Sequence, residues 1–287
     1  MAGLNEVTLL NHTALVKAAR DLAPLPPALV QLSALVATGA YSPGDVEAIV
    51  RLDAALTGRL LQYANSAASA SYVRVGTVRD AVVRVGVGPV LSFMAATTLR
   101  PELLHAIPAY GLSEGELWRH SVAAALACEV IAQKAPVDVP PDSFTASLLH
   151  DVGKVVLARF LDPSRQRELA AAREQGADSS LRAEIEILGV DHGELGGLIG
   201  SHWNLPPRVV RGITHHHAPT AGDDVICDVV HLANVLAKRV GTGSVVTASD
   251  LDADPDALAR LGLAAGRLPL LLETLTRRLA EAVERFG

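Results

Sequence analysis

The chain has 287 residues, of which 49% are hydrophobic and 20% charged; that balance excludes a disordered, charge-rich polymer and allows one large or two modest domains. The formal charge of −6 is uneven, Lys and Arg standing against Asp and Glu at 8 to 7 through residue 110 and at 17 to 24 beyond it. With no basic stripe and 3% aromatics, the sequence lacks the clustered cations and stacking rings that grip nucleic acid, so no nucleic-acid partner is expected.

In the first twenty residues Glu6 stands where a secretion signal has cations, and Asn11, His12 and Lys17 break the apolar run. Neither export nor membrane insertion is expected. From Pro26 onward, Leu29, Leu32, Leu35 and Val36 recur at helical spacing. Ser42 and Pro43 supply the cap and first turn of the next helix, whose buried face is Val46, Ile49 and Val50. Asp53 leads into Leu56, Leu60, Leu61 and Ala64, a helix ending near Asn65 and Ser66. Two apolar segments follow at 78–85 and 90–99, with Gly86 and Gly88 as the turn between them. Pro108, Gly111 and Gly115 then interrupt the periodicity. This predicts a boundary near 110, between an N-terminal helical subdomain (1–110) and a second helical subdomain (111–287).

Beyond it the pattern predicts a long helix from Ser113 to Lys134, a Pro-rich loop at 135–141 and a continuous helix from Ser143 to Phe160. Charged helices are expected at 163–175 and 178–188, then helices starting at His192 and Pro206, one over 225–240 and a last one over 269–286. Ala, Leu and Val fill the apolar quota, so the expected class is all-α, with small aliphatic side chains packed helix on helix. Cys128 and Cys227 lie in apolar helices and make no disulfide framework. A reducing, cytoplasmic setting suits them.

Seven side chains are candidates for chemistry: His120, His150, Asp151, His192, His216, His217 and Asn234. Neutral imidazoles and one carboxylate able to bridge two cations suit divalent transition metals. His150 and Asp151 interrupt an apolar helix, and burying both costs several kcal/mol unless something satisfies them. Adjacent helical positions point about 100° apart, so both can reach a metal in the cleft between helices. Taken singly, His120 is more often a hydrogen-bonded core residue, His150 and Asp151 can rigidify their own helix, and His215, His216 and His217 read as a surface-like run. Delivery from several independent helices favours the metal reading.

The sequence resembles the HDOD domain, a relative of the HD phosphohydrolase superfamily that includes the HD-GYP phosphodiesterases. The resemblance spans residues 20–240 and is carried by LPP (25–27), DAALTGRLLQYANSA (53–67) and AVVRVG (81–86) in the first half. In the second half it is carried by LWRH (117–120), LLHDVGK (148–154), DHGELG (191–196), WNLP (203–206), His216 with His217, and HLAN (231–234). It implies an HD-like helical fold, with His120, His150, Asp151, His192, His216 and His217 as metal ligands and Asp151 bridging. Asp151 and Lys154 are then the catalytic candidates, Lys154 near a substrate phosphate. Asn234 departs from the family of enzymes, which carry Asp there, and an uncharged amide oxygen is the weaker ligand. The GYP signature is absent, HHAPTAG (216–222) standing in its place, so cyclic-di-GMP hydrolysis is not implied.

Two functions follow as expectations. The first is a bacterial signal-transduction output protein acting through signalling partners, self-association included, with partner surface on the helices of 20–110 and a partial metal site. The second is a metal-dependent phosphohydrolase or phosphodiesterase of phosphate esters, in which iron, manganese, magnesium, zinc or nickel lowers the pKa of a bound water.

Overall fold

The structure, a computed structural model, describes residues 14–22, 24–51, 54–67, 74–174, 177–243 and 251–286. Glu6, Asn11, His12 and Asp53 lie outside the described residues. Among the described residues the regular structure is helical, with a single isolated bridge between Ile107 and Leu112.

A first group of helices follows the helical residues at 14–20: α1 (Pro27–Ala37), α2 (Pro43–Val50), α3 (Ala54–Ala67), α4 (Val78–Val85) and α5 (Val87–Leu103). Their starts have local causes. Pro27 and Pro43 occupy first-turn positions where a missing amide costs nothing, and Ser42 and Asp45 exchange side-chain and backbone hydrogen bonds in a capping box. Gly86, at φ 86°, ends α4 in a conformation only glycine adopts readily, and α5 starts at once after it. The turn expected between these two helices is therefore one residue long, and Gly88 lies within α5.

The second group comprises α6 (Glu116–Lys134), α7 (Ser143–Leu149), α8 (Val152–Leu157), α9 (Pro163–Arg173), α10 (Ala177–Leu188), α11 (His192–His202), α12 (Pro207–Thr214), α13 (Pro219–Gly222), α14 (Val225–Arg239), α15 (Pro255–Arg260) and α16 (Leu268–Phe286). The short helices α13 and α15 are additional to those the periodicity predicts, being too brief to establish a repeat. Helix α6 is the axis: it packs on α5, α7, α14 and α16, and is buried on nearly every side along Leu117–Ile131. Tight packing there uses Ala123, Ala124, Ala125 and Ala127, whose small side chains admit neighbouring helices closely. The apolar core continues through residues 106–115, where Ile107, Ala109, Tyr110 and Leu112 are buried.

One expected element is corrected. The helix predicted from Ser143 to Phe160 breaks after Leu149 and resumes at Val152, and Ala158–Phe160 forms a 3-10 turn. Asp151 sits at the break with φ −98° and ψ 6°, outside helical geometry. Beyond the break α8 packs on α11, and Gly153 makes the close contact. Among the described residues no helix is long and apolar enough to cross a membrane.

Candidate metal centre

Five elements deliver the candidate side chains. Helix α6 carries His120, the break after α7 carries His150 and Asp151, and α11 begins with His192. The turn after α12 carries His216 and His217, and α14 carries Asn234. All seven converge. His120, His150, Asp151, His192 and His216 are each 3% exposed or less and Asn234 is 4% exposed, while His217 is half-buried. Of the histidine run, His216 and His217 join the cluster, and His215, partly exposed, stays outside it.

The rings are aimed from behind. The Nδ1 atoms of His150 and His216 each donate to a carbonyl three residues earlier, Ser147 and Ile213, both at 2.7 Å. His120 Nδ1 lies 3.3 Å from the Thr242 hydroxyl, which itself donates to the Ala237 carbonyl at 2.7 Å. His192 Nδ1 faces the Glu184 carboxylate at 2.8 Å. Engaging Nδ1 directs each Nε2 forward, the arrangement in which imidazoles ligate metals.

The Nε2 atoms surround Asp151. Its Oδ2 lies 3.5 Å from both His120 and His150, and its Oδ1 lies 3.3 Å from His192 and 3.9 Å from His216. His120 Nε2 is also 3.2 Å from His150 Nε2 and 3.1 Å from Asn234 Oδ1, and His192 Nε2 is 2.9 Å from His217 Nε2. Two groups result, His120 with His150 and Asp151, and His192 with His216 and His217, the candidate donor atoms of each lying within 4.8 Å of one another. Asp151 stands between them.

Four of the five imidazoles are held in the form that ligates metals. Burial holds His120, His216 and His217 well below the ordinary imidazole range and lowers His150 as well, so their neutral, lone-pair forms prevail. His192 differs: burial, the largest single influence, opposes its charge, but Glu184 and Asp151 together raise it to about 9. For Asp151, burial favours the neutral acid, yet Lys154 first, then His150 and His192, hold the carboxyl well below its usual range. Asp151 Oδ1 and His216 Nε2 are buried without a hydrogen bond. Buried acceptors facing one another suit a divalent cation.

Lys154 donates to Asp151 Oδ2 at 2.7 Å and lies 5.6 Å from the centre of the Tyr110 ring, within cation-π range. Tyr110 in turn meets His192 edge-on at 6.3 Å. Sequence reasoning missed Glu184 and Thr242. A signal existed for Glu184, which shares a helical stripe with Leu181 and Leu188 and so predicts a buried carboxylate. Thr242 had none, since it follows α14 and reaches His120 only in the folded chain. Gly243, at φ 73°, brings its backbone against the His120 ring, where a Cβ would lie 2.6 Å from Nδ1.

Comparison with known proteins gives the following likenesses. The model of the HDOD domain family matches residues 22–219. An uncharacterized protein of Treponema pallidum (strain Nichols) is 25% identical over 229 residues, covering 76% of this chain but 42% of that protein. The chain thus spans less than half the length of this relative. A solved structure from Shewanella amazonensis SB2B, described as a candidate phosphohydrolase, is 25% identical and covers 93% of both chains at a TM-score of 0.60. A candidate signal transduction protein from Marinobacter aquaeolei VT8 shares the fold at a TM-score of 0.74 and 21% identity, over 98% of this chain and 65% of that one.

Proposed function

Because the chain belongs to the HDOD domain family, we propose that it is a signalling output protein that acts through protein contacts and holds divalent cations in a closed pocket. The observation behind this is the sealing of the pocket: five of its ligand-type residues are 3% exposed or less and Asn234 is 4% exposed. A phosphate ester needs an approach to the metal, and among the described candidate residues His217 is half-buried and the Lys154 side chain 11% exposed. The residues that would hold cations are His120, His150, Asp151, His192, His216 and His217, with Asn234 as an uncharged seventh. A bound cation joins helices distant in sequence and so adds its binding free energy to folding. Partner contacts fall on the helices before residue 110.

A second reading is a metal-dependent phosphohydrolase or phosphodiesterase. It is favoured by Asp151 standing between two imidazole groups, the arrangement in which paired cations activate a shared water, and by the likeness to the Shewanella amazonensis protein. Metal analysis followed by phosphatase and phosphodiesterase assays with Mn²⁺, Fe²⁺ or Mg²⁺ separates the two. The output reading expects bound metal and no turnover. Metal-dependent turnover in the wild type, lost in both His150→Ala and Asp151→Ala, would overturn it.

A further inference from the structure

The two halves of the pocket differ in what surrounds them. The half at Asp151 Oδ2 presents His120, His150 and the neutral amide of Asn234. The Lys154 ammonium is bonded to that same oxygen at 2.7 Å. A positive charge on the shared ligand atom and an amide in place of a carboxylate both weaken a cation there.

The half at Oδ1 differs in its donors. It presents three imidazoles, His192, His216 and His217, and both Asp151 Oδ1 and His216 Nε2 are buried without a hydrogen bond. Behind His192 stands a carboxyl side chain. Glu184, fully buried, accepts the His192 backbone amide at 2.7 Å and lies 2.8 Å from its Nδ1. The other Nδ1 atoms face neutral oxygens, the carbonyls of Ser147 and Ile213 and the hydroxyl of Thr242. A carboxylate behind a ligating imidazole raises its basicity and fixes its orientation, an effect worth about 10- to 100-fold in metal affinity.

We propose that the pocket binds its cations in a set order, the first at His192, His216, His217 and Asp151 Oδ1, with Glu184 as the positioning residue that makes this half the stronger. The inference rests on the cation-holding part of the proposed function. It assigns the half at His120, His150 and Asn234 to a second, weaker equivalent, so occupancy of that half varies with metal supply while the first stays filled.

The test is titration of Co²⁺ into the metal-stripped full chain, followed by equilibrium dialysis and d–d absorption. Two unequal equivalents are expected in the wild type. In His120→Ala the first equivalent should bind within about 3-fold of wild type, whereas His217→Ala and the isosteric Glu184→Gln should weaken it by about 10-fold or more. Loss of the first equivalent in His120→Ala with retention in His217→Ala would overturn the order, as would two equal equivalents or no bound Co²⁺ in the wild type. An equal effect of Glu184→Gln on both equivalents would remove the role given to Glu184. If Glu184→Gln does not fold, the comparison of His120→Ala with half-buried His217→Ala still decides the order. Ester turnover is not read in this titration, so failure of the output reading is seen separately.

Discussion

Gly153 lies against the carbonyl of His192 so closely that a Cβ at position 153 would stand 2.0 Å from that oxygen. The contact fixes α8 on α11 and with it the spacing between Asp151, two residues before the glycine, and His192, the first residue of α11. Gly153→Ala should therefore separate the two helices, destabilising the protein by about 3 kcal/mol and weakening cation binding. Urea denaturation and Co²⁺ titration check both. A variant that folds with wild-type stability and wild-type affinity would show that the contact does not position the pocket.

Asn65 acts far from the metal centre. Its amide donates to the Val75 carbonyl at 3.0 Å and accepts the Val75 amide at 2.8 Å, joining the end of α3 to the approach to α4. Asn65→Ala should cost about 1 to 3 kcal/mol, because it orphans both backbone groups. Asn65→Asp should cost less, since the acceptor survives. Chemical denaturation measures the difference, and Co²⁺ affinity should be unchanged in both.

The stability of the metal-stripped protein should pass through a maximum near pH 6.5. His120, His150, His216 and His217 are held neutral by burial while their unfolded counterparts take up protons, so stability rises with pH up to the unfolded imidazole value. His192 acts in the other direction. Its folded value, raised to about 9 by Glu184 and Asp151, stabilises the fold fully below about pH 6.5 and loses that contribution as pH climbs through 9. The loss is on the order of 2 to 3 kcal/mol for one such group. Thermal melting in chelator from pH 5 to 9.5 should show the maximum, and Glu184→Gln should flatten its alkaline side. An alkaline limb equally steep in that variant would contradict the assignment.

Asn234→Asp should tighten the second Co²⁺ equivalent by about 10-fold or more, because a charged oxygen replaces an amide 3.1 Å from His120 Nε2. The first equivalent should change little. Unaltered stoichiometry and affinity would show that position 234 is not a ligand position.

Much of this could be read from the chain alone. Apolar residues at three- and four-residue spacing specify amphipathic helices through local geometry, so the all-α class and most helix positions were legible, as was the cap at Ser42. His150 and Asp151 were legible too, since polar residues inside an apolar helix stand out against the pattern. Tertiary packing alone decided three things. The helix breaks at Asp151, and α8 lies against α11 through Gly153, a contact between segments about forty residues apart. His216 is buried and His215 is not, because the turn after α12 faces Asp151 and no periodicity describes a turn. Glu184 and Thr242 face His192 and His120 across gaps of 8 and 122 residues. Helical periodicity is a local property, whereas the environment of each ring, and so its charge and its aim, is set by whichever chain segment packs behind it.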